Sequence, residues 1–331
     1  YIGQRADNIA PDTQIVVYTA AIPEDNPELV RARELGIPCL TRADFLGQLM
    51  KNYETAICVA GTHGKTTTTS LLTQIMLEAD TDPTIMVGGI LPSIQGNTRI
   101  GASGNFITEA CEYTNSFLSF FPTIAVILNV REDHMDFFRD LADVRNSFRE
   151  FAHLVPENGT LVINGEIEDL PYFTEGIKGK VLTFGLREGC SFRAEEITYD
   201  EMACPAFDLY VEGSFAGHVS LQVPGEHNVY NALAALASAF AAGLELPGTI
   251  ASVSRFRGVD RRFQYKGTIG GVTVIDDYAH HPDEIEATLN AALNLPHKKL
   301  WVVFQPHTYS RTEVFMEEFA RQLSFCKPEQ P

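Results

Sequence analysis

Residues 59–70 read VAGTHGKTTTTS, a stretch that passes from an apolar segment through two glycines and a lysine into a run of hydroxyl residues. The preceding TAICVA predicts a buried strand, and the following TTTTSLLTQIMLEA predicts a helix, because its apolar residues recur at helical spacing. Strand, glycine turn and helix in this order are typical of a phosphate-binding loop, in which backbone amides and the positive end of the helix dipole face the phosphates. The stretch therefore predicts a nucleoside triphosphate site.

Two side chains of this loop carry specific expectations. Lys65 is predicted to reach the β- and γ-phosphates, and the Thr66 hydroxyl is predicted to bind Mg²⁺. The strict phosphate-loop pattern has a glycine five residues before Gly64, where this chain has Val59. The alternative is a glycine turn with an ordinary surface lysine, and the ordered succession of strand, turn, lysine, hydroxyls and helix favours the nucleotide site.

Length and composition limit the classes of function that the protein can have. The chain has 331 residues, of which 45% are hydrophobic and 21% charged, as in a soluble globular protein of two or three domains. The net charge of −18 disfavours nucleic-acid binding, because a negative field repels the phosphate backbone. Six cysteines include no CxxC pair, and no apolar run approaches the roughly 18 residues that span a membrane. We therefore expect a cytoplasmic enzyme that binds neither nucleic acid nor membrane.

Alternating strand and helix patterns divide the chain into three parts. Residues 1–52 read as a β/α fragment without the glycine-rich loop of a complete nucleotide-binding layer, and Thr41 is expected to cap its second helix. Residues 53–258 restart the alternation, with buried strands in NFITEA, TIAVILNV, TLVING and KVLTF, a hairpin in FDLYVEGSFAGHVSLQV, and an alanine-rich helix closed by Gly243.

The third part, residues 259–331, reads as a single βαβ unit. VTVIDD predicts a strand, HPDEIEATLNAAL a helix, and KKLWVVFQPH a second strand. One such unit leaves a sheet edge uncovered, so this domain is expected to be incomplete. The predicted fold is a multi-domain α/β protein: a central, mostly parallel P-loop-type sheet with helices on both faces, followed by part of a Rossmann-like domain.

Polar residues follow two of the predicted central strands. Glu109 ends one strand and His134 follows the next. Because ligands of open parallel sheets collect beyond the carboxyl ends of the strands, both are expected to converge on the phosphate loop and to complete magnesium coordination. A capping or salt-bridging role for Glu109 and an ordinary structural role for His134 are the alternatives. Solvated charges at helix starts are expected to explain three neighbouring residues, Glu112, Asp133 and Asp136.

The segment GEHNVYNALAA places two asparagines at the start of a helix. Asn228 is expected to cap that helix. Asn231, one turn further in, has no capping duty and can hydrogen-bond a purine edge. The residues alone do not decide between this role and a structural one.

Three further segments carry charged and imidazole groups, and two of them follow predicted strands. FRGVDRRFQ contains Arg257, Arg261 and Arg262, and arginine suits phosphate and carboxylate recognition. VIDDYAHHPDE and FQPHTYSRT contribute the remaining candidates, which are Asp276, Asp277, His280, His281, His307 and Arg311. The adjacent histidines do not supply the four ligands of a closed zinc site. Ordinary polar loops at strand ends are the alternative to a functional role.

Together these segments resemble the Mur ligase family. The motifs that carry the resemblance are AGTHGKTTTTS, EACEY, NVREDHMDFF, GEHNVYNALAA, FRGVDRRFQ, DDYAHHPDE and QPHTYSRT, which occur in the family's order. The likeness extends from IGQRADNI to about Ser324, whereas the tail FCKPEQP does not resemble the family's continuation.

The resemblance implies an organisation and a reaction. Residues 1–52 are expected to be the remainder of a UDP-sugar-binding domain, residues 53–258 the ATP-binding ligase domain, and residues 259–331 the start of the closing domain. The implied reaction is ATP-dependent: the lactyl carboxylate of UDP-N-acetylmuramate becomes an acyl phosphate, which the amine of L-alanine attacks to form an amide. ATP and Mg²⁺ are the implied cofactors, the sugar nucleotide and L-alanine are the implied partners, and a monomer or weak homodimer is expected.

The resemblance also implies residue roles. The catalytic group is expected to comprise Lys65, His63, Glu109 and His134. The expected metal ligands are Thr66, Glu109 and His134. The nucleotide is expected to contact Gly61, Thr62, Gly64, Lys65, Thr66, Thr67, Asn231, Arg262 and Asp277. The muramoyl-alanine end is expected to contact His280, His307 and Arg311.

Departures from the family and rival functions qualify this interpretation. Thr308 stands where some members carry arginine, and FRDLADVRNSFREF contains no lysine, so no carbamylated lysine is expected there. A murein tripeptide ligase acting on the same sugar nucleotide fits most of the motifs, although DDYAHHP and QPHTYSRT favour the alanine-adding branch. A non-catalytic nucleotide-binding fragment is the alternative from a different class.

Overall fold

The computed structural model describes residues 1–324, and its first part is a small α/β unit. Two parallel strands alternate with two helices, which are β1 (Val16–Tyr18), α1 (Pro27–Glu34), β2 (Cys39–Thr41) and α2 (Arg42–Met50). The hydroxyl of Thr41 accepts a hydrogen bond from the amide of Asp44 at 3.0 Å, so the predicted cap of α2 is confirmed. The tail FCKPEQP, which includes Cys326, lies outside the described residues.

A ten-stranded sheet forms the second part. Its strands are β3 (Thr55–Ala60), β4 (Thr84–Leu91), β5 (Gly96–Arg99), β6 (Asn105–Glu109), β7 (Ile124–Ile127), β8 (Thr160–Asn164), β9 (Lys180–Gly185), β10 (Phe192–Tyr199), β11 (Pro205–Val211) and β12 (Ser214–Ser220). The spatial order is β12-β11-β10-β9-β8-β7-β3-β6-β4-β5. Every pairing from β10 to β4 is parallel, and the pairings of β11, β12 and β5 at the two edges are antiparallel. The prediction of a mostly parallel central sheet is confirmed.

Helices cover both faces of this sheet, as predicted. They are α3 (Lys65–Glu78), α4 (Leu141–Ala152), α5 (Leu170–Thr174), α6 (His227–Ala241) and α7 (Leu246–Val253). One apolar core joins α3, α6 and α7 to the sheet, and a second core on the other face contains phenylalanines of α4 together with Leu46 and Met50 of α2. Because both faces are covered, β3 and β7 are buried almost throughout, which explains their uninterrupted apolar sequence.

The packing of α2 on the central part predicts a large effect of one small substitution. A Cβ added at Gly47 would lie 1.9 Å from the backbone oxygen of Ser119. Because backbone cannot rotate away, Gly47→Ala is expected to lower the free energy of unfolding by about 3 kcal/mol, measured by urea denaturation. Gly248→Ala in α7 is the matched control, since a Cβ there meets nothing within 4 Å. A Gly47→Ala protein as stable as the control variant would contradict this packing.

The third part differs from the predicted βαβ unit. It contains a hairpin of β13 (Gln264–Ile269) and β14 (Val272–Asp276), followed by α8 (Pro282–Leu293), α9 (Tyr309–Val314) and α10 (Met316–Ser324). The strand VTVIDD and the helix HPDEIEATLNAAL are confirmed. The strand predicted in KKLWVVFQPH is wrong: residues 298–307 form no ladder, and Val303 is 98% exposed. A strand is stable only beside a partner, and among residues 1–324 β14 pairs with β13 alone.

Among residues 1–324, no helix is both long enough and apolar enough to cross a bilayer.

Candidate functional site

The predicted phosphate loop connects β3 to α3 at the carboxyl edge of the parallel strands. Gly64 stands at the cap position of α3 with φ of 86°, and Gly61 has φ of 149°. A Cβ on Gly64 would lie 2.5 Å from Oδ1 of Asn231, and one on Gly61 would lie 2.8 Å from Cβ of Leu128. Only glycine fits these two positions, because the backbone is left-handed and the neighbouring segments approach closely. Because Gly64 has no side chain, the first amides of α3 have no side-chain acceptor at the cap position.

The loop is fastened to the segment that follows β7. The amide of His63 donates to Oδ1 of Asn129 at 2.9 Å, and Nδ2 of Asn129 donates back to the carbonyl of His63 at 3.0 Å. The hydroxyl of Thr62 accepts from the amide of Arg131 at 2.9 Å. These contacts fix the loop before any ligand arrives, so the hydroxyl of Thr62 has a structural function in addition to its predicted contact with nucleotide.

Lys65 forms a buried ion pair. Its Nζ lies 3.0 Å from Oε2 of Glu112 and also donates to the carbonyls of Gly61 and Thr62. The side chains of Lys65 and Glu112 are only 17% and 2% exposed. Burial opposes the ammonium charge, but the charge of Glu112 outweighs this effect and the pKa of Lys65 is raised. The expectation that Glu112 is a solvated charge is therefore wrong, because the lysine draws it into the interior.

Glu109 lies at the end of β6, the parallel neighbour of β3. It accepts a hydrogen bond from the Thr66 hydroxyl at 3.2 Å and another from the amide of Gly88. Burial raises the pKa of Glu109, although these donors oppose the shift. Two of the three predicted metal ligands, Thr66 and Glu109, thus meet as the sheet topology requires.

His134 lies in a second group beside the first. It has φ of 54° and stacks on the ring of Tyr113, with the ring centroids 4.6 Å apart. Glu112, Asp133 and His134 each offer one ligand atom, and these atoms lie within 4.8 Å of one another. Asp133 is 7% exposed, so the expectation of a solvated charge is wrong for it as well. Asp136 is exposed, as expected, and accepts from the hydroxyl of Tyr113.

The chemistry of these groups fits a hard divalent cation. Carboxylate and hydroxyl oxygens are the ligands that Mg²⁺ prefers, and an imidazole can complete such a set. Thr66 and Glu109 form one pair, and Glu112, Asp133 and His134 form a second group. Lys65, the neighbour of Thr66 in sequence, connects the two through its ion pair with Glu112. The oxygen atoms of Thr66 and Glu109 beside the phosphate loop therefore have the chemistry that Mg²⁺ requires, while His134 lies in the adjoining group.

The third part of the chain contacts the phosphate loop through His63. Its Nε2 lies 3.6 Å from Asp283 and its Nδ1 lies 3.6 Å from Glu284, and its ring packs on His281 with centroids 4.7 Å apart. Burial alone would lower the pKa of His63, but the carboxylates of Asp283 and Glu284 raise it to about 9. His63 is therefore a cation at neutral pH, held between two acidic groups of α8.

A cavity of about 1060 Å³ lies between the central and third parts. Predicted nucleotide and loop residues that line it are His63, Gly64, Thr66, Thr67, Asn231, Arg262 and Asp277. Asp277 accepts from the amides of Phe263 and Ala279, each at 2.6 Å, and so ties the start of β13 to the loop after β14. Burial raises the pKa of Asp277. The cavity has the size of a cofactor or nucleotide site.

The two asparagines of α6 lie at the wall of this cavity. Oδ1 of Asn231 accepts from the Thr68 hydroxyl at 3.2 Å, and its Nδ2 donates to Oδ1 of Asn228 at 2.9 Å. Asn228 does not cap α6, contrary to expectation: its Nδ2 donates to the carbonyl of Pro224, and the cap position belongs to Glu226. The contact of Asn231 with a purine edge stays a prediction. Its side-chain amide is already oriented by the hydrogen bonds with Thr68 and Asn228.

The predicted substrate residues line a second cavity, of about 280 Å³. His280, His307 and Arg311 share its wall with His134 and with Thr308, the residue at the arginine position of some family members. Nη2 of Arg311 lies 3.3 Å from Oδ1 of Asp133. Burial works to raise the pKa of Asp133, but His134 and Arg311 lower it overall. The predicted substrate residues and one predicted metal ligand therefore lie around one space.

Sequence reasoning missed three buried carboxylates of the site. Glu112 and Asp133 were assigned to solvent, and Glu284 was not considered as a site residue. For Glu284 a signal was present, because it stands three residues after His281 at the helix start, where a capping box places an acidic residue. For the other two, the pairing partners lie 47 and 178 residues away along the chain.

Family models and relatives match nearly the whole length of the chain. The model of the Mur ligase middle domain matches residues 59–239, that of the Mur ligase glutamate ligase domain matches residues 261–328, and that of the Mur ligase family catalytic domain matches residues 1–54. The second of these ranges reaches into the tail that the resemblance by motif did not cover. The UDP-N-acetylmuramate–L-alanine ligase of Lachnospira eligens is 54% identical over 324 residues, covering 98% of this chain and 71% of its own length.

Solved structures agree with these matches. The UDP-N-acetylmuramate-alanine ligase of Thermotoga maritima superposes with a TM-score of 0.82 at 30% identity, covering 98% of this chain and 72% of that protein. The UDP-N-acetylmuramate:L-alanyl-γ-D-glutamyl-meso-diaminopimelate ligase of Neisseria meningitides superposes with a TM-score of 0.71 at 26% identity, covering 79% and 84%. The order of the motifs, the sheet that presents them and these matches agree, and the chain belongs to the Mur ligase family.

Proposed function

We propose that this protein joins L-alanine to the lactyl carboxylate of UDP-N-acetylmuramate and hydrolyses ATP to ADP and phosphate. Relatives of 54% identity carry the name of this activity. One structural observation carries the proposal: a series of neighbouring charged groups leads from the predicted phosphate loop to the cavity lined by the predicted substrate residues. Lys65 pairs with Glu112, Glu112 adjoins Asp133, and Asp133 pairs with Arg311.

The chemistry follows from the poor reactivity of a carboxylate toward an amine. In the first step a lactyl carboxylate oxygen takes the γ-phosphoryl group of ATP, the bond from that phosphorus to the bridging oxygen breaks, and ADP leaves. In the second step the amine of L-alanine attacks the acyl carbon, inorganic phosphate leaves and the amine loses a proton. Both steps depend on positioning and on neutralised phosphate charge more than on covalent chemistry by the protein.

The residues of the site have different roles according to where they lie. Lys65, with the amides around Gly64, holds the phosphates, and Asn231, Arg262 and Asp277 contact the nucleotide from the wall of the larger cavity. His280, His307 and Arg311 orient the muramoyl-alanine end. Bound Mg²⁺ supplies neutralisation of phosphate charge, and the residues that would hold it are Thr66, Glu109 and His134. His63 lies inside the loop with its cationic ring toward the third part.

The remaining features of the proposal concern organisation. Residues 1–52 belong to the UDP-sugar-binding domain, residues 53–258 to the ATP-binding domain, and residues 259–331 to the closing domain. The protein acts in the cytoplasm, as a monomer or weak homodimer, without nucleic acid or membrane as a partner.

Phosphate release with Mg-ATP tests the proposal. UDP-N-acetylmuramate and L-alanine are added separately and together, and release is expected to accelerate only when both are present. A parallel reaction replaces L-alanine with the tripeptide L-alanyl-γ-D-glutamyl-meso-diaminopimelate. Preference for the tripeptide would assign the protein to murein peptide ligation instead. Binding of Mg-ATP without acceptor-dependent release would identify a non-catalytic nucleotide-binding protein.

A further inference from the structure

Glu284 is a largely buried carboxylate of α8 that the proposed reaction does not use. Its side chain is 14% exposed. Local structure explains why an acidic residue stands there: its Oε2 accepts from the amides of His280 and His281, while the ring of His281 accepts from the amide of Asp283. This arrangement is a capping box, which satisfies amides at the start of the helix.

Capping does not account for the other contacts of this carboxylate. Oε1 of Glu284 lies 3.6 Å from Nδ1 of His63 in the phosphate loop and 3.6 Å from a guanidinium nitrogen of Arg262. Oε2 lies 3.2 Å from Nδ1 of His280. One side chain thus contacts a residue of the phosphate loop, a proposed nucleotide contact and a proposed substrate contact.

The electrostatics favour a charged Glu284. Burial works to raise the pKa of Glu284, but His63, His280 and Arg262 hold it well below its usual range. Burying a carboxylate is unfavourable unless cationic partners compensate. A capping box requires only an acceptor oxygen, which a neutral glutamine also supplies. The helix start therefore does not require the full buried charge, which the three cationic contacts use.

We propose that Glu284 is a positioning residue, which holds His63, Arg262 and His280 on one carboxylate and thereby sets the third part of the chain against the phosphate loop. The inference rests on the proposed ligase function. The nucleotide and the acceptor amine must be aligned within a fraction of an ångström for the two transfer steps, and misplacement by about 1 Å reduces rates by about 100-fold. A carboxylate shared between the two ends of the site provides such alignment.

The variant Glu284→Gln separates this role from capping. The amide keeps the acceptor oxygen and the size of the side chain but removes the charge. We expect the KM values for ATP and for L-alanine both to rise about tenfold, because two positioned contacts are lost together. The melting temperature is expected to fall by only about 5 °C, because the capping box survives while His63 and Arg262 lose one charged partner. A merely structural role would lower the melting temperature and leave both KM values unchanged.

Two further variants complete the comparison. Glu317→Gln removes the same charge from an exposed position on α10 and is expected to keep the KM values of the wild type. If Glu284→Gln melts much earlier than expected, Glu284→Asp replaces it: the charge stays, and the loss of one methylene withdraws it from its partners. Smaller increases in the same two KM values, for ATP and for L-alanine, are then expected. A change confined to one ligand, or no change, would overturn the inference.

Binding of Mg-ATP without acceptor gives a readout that does not depend on ligation. Calorimetry is expected to show about tenfold weaker binding by Glu284→Gln than by the wild type, because Arg262 and His63 lose their common partner. Equal dissociation constants would overturn the role of Glu284 whether or not the wild type ligates. Wild-type protein that binds Mg-ATP but releases no phosphate in response to acceptor would instead overturn the proposed function.

Discussion

Replacing Lys65 by alanine is expected to lower kcat for phosphate release by about 10³-fold, because one charge-stabilising group of a preorganised site is lost. The lysine is the only cation of the phosphate loop apart from His63 within the described residues. The proposed function assigns its ammonium group to the phosphates of ATP, and without nucleotide this group pairs with Glu112. Steady-state phosphate release with saturating UDP-N-acetylmuramate and L-alanine measures the effect, and kinetics equal to the wild type would remove Lys65 from the phosphate site.

The same substitution is also expected to destabilise the fold. Although Lys65 stands at the end of a loop, it forms a buried pair with Glu112. Removing one partner leaves a buried carboxylate without compensation, which costs about 3 kcal/mol in the free energy of unfolding. Lys178→Ala is the control: Lys178 pairs with Glu157 on the surface, both being about 75% exposed, and its loss should change stability by less than about 1 kcal/mol.

A double variant separates the two effects of Lys65. Lys65→Met combined with Glu112→Gln removes both charges, so no buried charge stays unpaired. Urea denaturation is expected to show stability recovered to within about 1 kcal/mol of the wild type, while phosphate release stays as low as in Lys65→Ala. Recovery of turnover in the double variant would show that the lysine acts only through the fold.

The stability of the protein is expected to fall as pH rises from about 6.5 to about 9 because of His63. The pKa of this side chain is 6.5 in its ordinary state and about 9 in the folded protein. A raised folded-state pKa means that the folded protein holds the proton more tightly, so the stabilisation is complete below pH 6.5 and is lost as pH passes through 9. The difference corresponds to about 3 kcal/mol at acidic pH.

The variant His63→Gln isolates this contribution. Glutamine cannot take up a proton, so the free energy of unfolding should be about 3 kcal/mol lower than that of the wild type at pH 6 and equal to it by about pH 10. His153→Gln is the control, since His153 is exposed at the end of α4 and its replacement should leave the pH profile as in the wild type. A constant difference between wild type and His63→Gln across this range would show that folding does not raise the pKa of His63.

Local patterns predicted most of the central domain because its elements follow from contacts close in sequence. The apolar run of β3, the glycine turn and the periodic α3 are adjacent in sequence, so local patterns suffice to predict a phosphate loop there. Thr41 caps α2 for an equally local reason, since hydroxyl and amide are three residues apart. The strand predicted in residues 298–307 is wrong because strand formation depends on a partner, and apolar β-branched sequence alone does not supply one.

The sequence by itself determined the phosphate loop, the parallel sheet and the strand ends at which site residues lie, because backbone propensity and side-chain periodicity act over a few residues. Only the tertiary structure decided which charges are buried and with what partners. Glu112 meets Lys65, Asp133 meets Arg311, and Glu284 gathers residues from two parts of the chain. A carboxylate stays ionised in the interior only where folding brings cations to it. Because these cations lie far away along the chain, local sequence patterns do not show which carboxylates are paired.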